Sequence, residues 1–222
     1  KVPPKKKGKR FKGTLKEGID KFQWREEGKV WAAYCVTLDK VAKSVLAEIF
    51  ERDTFEQTKQ HEKKNGSLPR QIIKNVGGSR SLHYRFGLAL KKPFNNRLFE
   101  IWYTWRETKL NNGRRSYTVG FVPLTFNTLE GTSFGDLSQK DFVLAETTGL
   151  YNITEIAPHV CSLTRIQSVN ANFSKIKVPE VLEDFFTKIT LEEANRLQMK
   201  FRRNGKKVDK EVREVLVERM KQ

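Results

Sequence analysis

The side chains able to do covalent or acid–base chemistry are few and scattered. The chain carries three histidines, His61, His83 and His159, and two cysteines, Cys35 and Cys161. A nucleophile needs a base within hydrogen-bond reach, and that base needs a third group to orient it. No histidine has an obvious serine, cysteine or carboxylate partner in the sequence, and His83 falls on the polar side of an alternating stretch. The cysteines show no metal-ligand spacing and are too few for a disulfide framework. Gly77-Gly78 reads as a hairpin signal, since no glycine-rich phosphate loop follows a strand. Glu146 and Arg165 lie in two long strand-like stretches; they could pair inside a cavity, but a solvated outer face is the simpler reading of both. Glu100, Arg106 and Glu107 read as surface charges. The Asn-x-Ser/Thr triplets at Asn65, Asn152 and Asn172 read as chance matches, because no signal peptide is visible. These residues point away from catalysis and imply no metal and no cofactor.

What the sequence supplies in quantity is apolar and aromatic surface. With 24 aromatic residues in 222, and 37% of residues hydrophobic, a disordered chain is excluded. The most regular alternation is SRSLHYRFGLAL, in which Leu82, Tyr84, Phe86, Leu88 and Leu90 share one face. In 97–107 (RLFEIWYTWRE), Phe99, Ile101, Tyr103 and Trp105 take the inward side and Trp102 the other. The hairpin signal Asn111-Asn112-Gly113 follows, and Tyr117, Val119 and Phe121 share a face of the return strand 115–122.

Around these lie the elements that must position them. Residues 30–38 read as a strand, with Asp39 placed to cap a helix carrying Val41, Val45, Leu46 and Ile49. A polar connector, 56–67, leads to a strand over 69–76. Residues 123–139 are loop-like but carry Phe126 and Phe134. Two long strands, 141–156 and 160–172, turn at Pro158-His159. A long helix then starts at Pro179, with Val181, Leu182, Phe185, Phe186, Ile189, Ala194 and Leu197 as its apolar stripe and Gly205 as its stop. Residues 209–220 read as a second, charged helix. Antiparallel strands linked by hairpins suit a curved sheet better than a βαβ fold.

The formal net charge of +17 sits mostly at the ends. Residues 1–16 contribute +8 and residues 200–222 contribute +5, leaving only +4 for the body. A nucleic-acid-binding domain would put a basic stripe on the folded face, so the asymmetry argues against that role. Residues 1–19 read as a flexible basic tail, 20–203 as the folded domain and 204–222 as a charged helical tail. Within the first tail, Lys5, Lys6, Lys7, Lys9 and Arg10 fit contact with anionic membrane or a nuclear-import address, and a plain solvated linker fits them as well as those two together. No run approaches the roughly 20 apolar residues needed to cross a bilayer. The expectation is part of a longer protein from a reducing compartment, cytoplasmic and peripheral to membranes.

The element order, strand, helix, antiparallel strands and long C-terminal helix, is that of the α+β helix-grip fold, a curved antiparallel sheet wrapped around a long C-terminal helix. Three stretches resemble START domains, the lipid-transfer modules related to the steroidogenic acute regulatory protein. Arg97-Leu98-Phe99 before EIWYTW resembles the family's Arg-Asp-Phe strand, with leucine in place of the aspartate. DFVLAETTGLYNITEI resembles the strand that often opens with an isoleucine- or valine-arginine-alanine motif. CSLTRIQSVNANFSKIKVPEVLEDFF resembles the last strand, its proline-bearing connection and the start of the final helix, although 170–177 lacks the usual glycine.

The resemblance implies a non-enzymatic module whose sheet and helix enclose one sterol, phospholipid or similar molecule. Leu82, Tyr84, Phe86, Tyr103, Tyr117, Phe121, Phe185, Phe186 and Ile189 would face that ligand, the tyrosines offering hydroxyls to its head; ordinary core packing is the simpler reading of the same residues. Phe126 and Phe134 would form the gate loop. The rival readings are an enzyme of the wider helix-grip superfamily, cyclase- or hydrolase-like, and a basic nucleic-acid or protein-interaction module.

Overall fold

The computed structural model describes residues 9–10, 19–26, 29–74, 80–92, 94–124, 142–172, 180–202 and 205–221. The chain runs β1 (Lys9–Arg10), β2 (Ile19–Glu26), β3 (Lys29–Leu38), α1 (Ala42–Phe50), α2 (Phe55–Asn65), β4 (Arg70–Lys74), β5 (Ser81–Leu88), β6 (Asn96–Lys109), β7 (Arg115–Pro123), β8 (Phe142–Ala157), β9 (Val160–Asn170), α3 (Glu180–Lys200) and α4 (Gly205–Met220). The strands form one sheet in the order β1-β2-β3-β9-β8-β7-β6-β5-β4. Neighbours are antiparallel, and the start of β8 also pairs in parallel with the start of β6, from Asn96↔Phe142 to Phe99↔Ala145. That second pairing draws the sheet into a curve, and the architecture is the α+β helix-grip fold.

Side-chain alternation decides which face is concave. Leu82 and Tyr84 in β5, Phe99, Ile101 and Tyr103 in β6, and Tyr117, Val119 and Phe121 in β7 are all buried in one core. They are joined there by Tyr34 and Val36 of β3, Tyr151 and Ile153 of β8, and Cys161 and Leu163 of β9. Helix α1 adds Ala42, Val45, Leu46 and Ile49, and α3 adds Leu191, Ala194 and Leu197. Helix α4 lies on a small second cluster, with Val212 and Val215 against Ala157 and Val160.

Several elements depart from the sequence expectation. Strand β2 had no reading: it turns Phe22 and Trp24 outward and buries Lys21 against Tyr34, reversing the usual pattern. The polar connector is helix α2, capped by Thr54, whose side chain accepts from the Gln57 N–H, and closed by Gly66 at φ 61°. It lacks an apolar stripe because only His61 is buried on it, so periodicity could not reveal it. Val41, not Asp39, is the N-cap of α1, with no side-chain cap bond. Gly205 opens α4 instead of stopping α3. Glu100 is not a free surface charge; Arg85 Nε donates to it at 2.6 Å on a shielded part of the convex face. Pro179, Phe126, Phe134, Gly77-Gly78 and Lys5 to Lys7 lie outside the described residues, as do the side chains of Lys9 and Arg10; the backbone of those last two pairs with β2.

One glycine sets how closely the strands pack. A Cβ on Gly149 would collide with the carbonyl oxygen of Ile166 and stand 2.7 Å from the Phe121 ring. Gly120, one strand over, has nothing within 4 Å of the same position. Overpacking of this kind costs about 1–3 kcal/mol, so G149A should lower the melting temperature by roughly 3–10 °C. G120A should leave it nearly unchanged. Equal melting of the two variants in thermal denaturation would contradict this packing.

Candidate ligand-binding cavity

The concave face does not pack flush against the helices. Between α2 and α3 on one side and β5, β6, β8 and β9 on the other lies a cavity of about 260 Å³. Its aromatic wall is layered: Tyr84 stacks on Phe86 with centroids 4.8 Å apart, and Phe86 on Phe99 at 5.0 Å. Leu88, Ile101, Val169, Phe186 and Ile189 add aliphatic and aromatic surface. The helical wall is held by long-range ties. Lys200, near the end of α3, donates to Glu48 of α1 at 2.9 Å and to Glu56 of α2 at 2.6 Å. In α2, His61 Nε2 donates to the Leu68 carbonyl at 2.9 Å and Nδ1 accepts from Asn65 at 3.1 Å, so both ring nitrogens are used.

Of the residues expected around a ligand, Tyr84, Phe86, Tyr103, Phe186 and Ile189 line this cavity. Leu82, Tyr117 and Phe121 do not; they are packed in the core beyond it. Phe185 does not line it either and is 39% exposed. The face that α3 buries is rotated from the expected stripe only in part. Ala194 and Leu197 are buried as expected and Phe186 is half-buried, but Phe185 and Ile189 are exposed and Thr187, Thr190 and Leu191 point inward. The side chains of Val181 and Leu182 lie outside the described residues.

The rotation answers the polar groups opposite. Arg165 of β9 points inward and pairs with Glu193 of α3, their side chains 12% and 14% exposed. Glu193 also accepts from Tyr34 at 2.9 Å and Tyr151 at 3.2 Å. The other terminal nitrogen of Arg165 donates to Gln167, which accepts from Thr190 at 3.1 Å and donates to Thr147 at 2.6 Å. The Arg165 guanidinium lies 4.8 Å from the centre of the Tyr151 ring. Glu146, by contrast, is exposed. The outer-face reading holds for Glu146 and fails for Arg165, although a signal was available: Cys161, Leu163 and Arg165 share one parity in β9, so an inward Leu163 carries Arg165 inward with it. Arg52 gave no such signal, because it sits between two helices where no periodicity applies; its guanidinium lies 5.0 Å from the Tyr103 ring centre and 5.8 Å from that of Tyr84.

No protein-family model matches the chain, and no curated protein does. Solved structures do match. The lipid transfer and protein localization domain of human StarD13 (DLC2) superposes with a TM-score of 0.62 over 90% of this chain and 91% of its own, at 16% identity. The fold is START-like. Human StAR-related lipid transfer protein 5 gives 0.59 at 12% identity, over 87% of this chain and 86% of its own. A STAR-related lipid transfer protein fragment from Xanthomonas axonopodis gives 0.55 at 15% identity, over 87% and 95%.

In this START-like fold, Glu193 at the cavity wall and its hydrogen-bond partner Tyr34 are poorly tuned for proton transfer at neutral pH. Burial would raise the Glu193 carboxyl, but Arg165, Arg52 and Arg196, with the Tyr34 hydrogen bond, outweigh it and hold the carboxyl below its ordinary value. Burial, the Glu193 charge and the Tyr34–Glu193 hydrogen bond push the Tyr34 hydroxyl well above its ordinary value. General acids and bases work best near the operating pH, and this pair is driven apart in the wrong directions for that. Outside the cavity, burial pushes the Cys161 thiol up to about 12, which keeps it protonated. Among the described residues no cluster of His, Cys, Asp and Glu could hold a metal.

Glu193 therefore acts through its charge. Because its folded value is depressed, the stability it supplies is fully present above the ordinary carboxyl value of 4.5 and is lost as pH falls through the lower folded value. E193Q removes the counter-charge from two buried guanidinium groups and should cost about 3–5 kcal/mol in denaturant unfolding at pH 7. The gap to wild type should narrow on acidification below pH 4.5. A pH-independent gap would show that Glu193 acts by shape alone.

Proposed function

We propose that this chain is a lipid-binding module of the transfer or sensing type, holding one largely apolar molecule between α3 and the sheet without covalent chemistry. The observation that carries this reading is the aromatic-walled cavity left where the long helix crosses the concave face. Lipid transfer named for StarD13 and for StAR-related lipid transfer protein 5 supports it by likeness of fold. Affinity would come from apolar burial at about 25 cal/mol per Å². At about 260 Å³ the cavity is below the roughly 300–1,000 Å³ of drug-sized ligand sites, so a long ligand would enter by displacing α3. Among the described residues no helix is long and apolar enough to cross a membrane.

Native mass spectrometry with organic extraction, on the chain purified from a eukaryotic host, should find about one lipid per chain. Protein that stays empty after incubation with mixed liposomes would overturn the reading. Ile189 lies at the cavity wall yet is 42% exposed, so I189W can block the mouth with little cost to the core. Lipid occupancy should fall several-fold with the melting temperature unchanged.

The basic ends extend the proposal to anionic membranes, at ~1 kcal/mol for each Lys or Arg near the surface. Deleting residues 1–16, which hold eight such side chains and no acid, should weaken binding to anionic vesicles at least ten-fold in co-sedimentation. Unchanged binding would remove the membrane role of that segment.

A further inference from the structure

The cavity wall carries more positive charge than its own residues neutralise. Arg52, Lys64, Arg165 and Arg196 line it, and Glu193 is the one carboxylate among the lining residues described. Glu193 is already engaged by Arg165, Tyr34 and Tyr151, with Arg196 at 3.8 Å. Arg52 is left over. Its Nε is buried without a hydrogen-bond partner, and among the described residues no carboxylate lies within ion-pair distance of its guanidinium. What it does have is the faces of Tyr103 and Tyr84, and the charge of Glu193 beyond ion-pair distance. Ring faces recover less than desolvating a full charge removes. The Nε of Arg165, on the same cavity, is likewise buried and unpartnered.

A buried guanidinium presents a planar fork of donors that matches an oxyanion and cannot shed its proton. A neutral hydroxyl would satisfy one donor and leave the charge uncompensated. We infer that the cavity takes an anionic ligand, whose carboxylate or phosphate head seats against Arg52 while its apolar body lies along Tyr84, Phe86 and Phe99. The small volume favours a single-chain amphiphile over a two-chain lipid. The apolar half of this inference rests on the lipid-binding reading above; the anion seat does not.

The test uses the full chain and four probes in isothermal titration: oleate, monoolein as its neutral counterpart, lysophosphatidate, and inorganic phosphate. Wild type should bind oleate and lysophosphatidate at least ten-fold more tightly than monoolein. R52Q should lose that preference, with monoolein affinity unchanged, and R52K should restore part of it. R52M, which keeps the apolar stem over the tyrosine rings, should behave as R52Q does, and melting curves of each variant report whether the fold is intact. Equal affinity of wild type for oleate and monoolein, or an R52Q or R52M chain that is folded and binds oleate as wild type does, overturns the anion seat while leaving lipid binding in place. Arg52-dependent binding of inorganic phosphate with no binding of any lipid keeps the seat and overturns the lipid reading. Absence of binding by all four probes overturns both.

Discussion

The arrangement depends on one buried ion pair. Arg165 and Glu193 come from the last strand and the last long helix, and their pairing joins α3 to the middle of the sheet where hydrophobic contact would otherwise do so. Two ions taken from water cost several kcal/mol each, and the cost is met by dense local bonding. Tyr34 and Tyr151 donate to the carboxylate, while Gln167, Thr190 and Thr147 extend the chain of donors and acceptors from the guanidinium. Because β3, β8, β9 and α3 each supply a member, the network also fixes the rotation of the helix about its axis.

That rotation explains why a cavity exists. A helix that buried Phe185 and Ile189 would push large side chains into the space now bounded by Phe86, Phe99 and Tyr103. By turning Thr187, Thr190 and Glu193 toward the sheet, α3 leaves Phe185 exposed and only the edges of Phe186 and Ile189 on the cavity wall, and the hollow stays open between aromatic strand residues and a mixed helix face. Beyond the cavity Gly149 gives Phe121 its room, since a Cβ there would stand 2.7 Å from the ring.

The strands were legible because side-chain direction has a period of two and apolar residues keep to one face, even in β5, where the polar Ser81, His83 and Arg85 of the other face are buried as well. Leu82, Tyr84 and Phe86, and then Phe99, Ile101 and Tyr103, follow that rule without exception, and the hairpin at Asn111-Asn112-Gly113 fixed their neighbours. The helices were harder for a physical reason. The stripe on α3 was chosen by hydrophobicity, whereas its true partner surface contains Arg165 and Gln167 and so selects threonine and glutamate. Helix α2 carries almost no apolar surface, since hydrogen bonds at Thr54, His61 and Asn65 and the Lys200–Glu56 pair hold it. Polar tethers between residues distant in sequence leave no periodic trace, and Arg52 belongs to the same class.

A polar helix interface is a poor choice if stability is the only demand, because replacing a buried ion pair with packed apolar residues is often neutral or stabilising. The interface of α3 mixes the Arg165–Glu193 network with the apolar contacts of Leu191, Ala194 and Leu197. The rest of the core does not share that composition: α1 packs Val45, Leu46 and Ile49 on the sheet, and its shielded charge, Glu48, pairs with Lys200 and Arg196 of α3. Separating α3 would expose Arg165 and Glu193, which water can solvate, together with Leu191, Ala194 and Leu197, whereas separating α1 would expose chiefly hydrocarbon. The helix that carries the ion pair is thus held in part by contacts that water can replace, and α1 by contacts that it cannot.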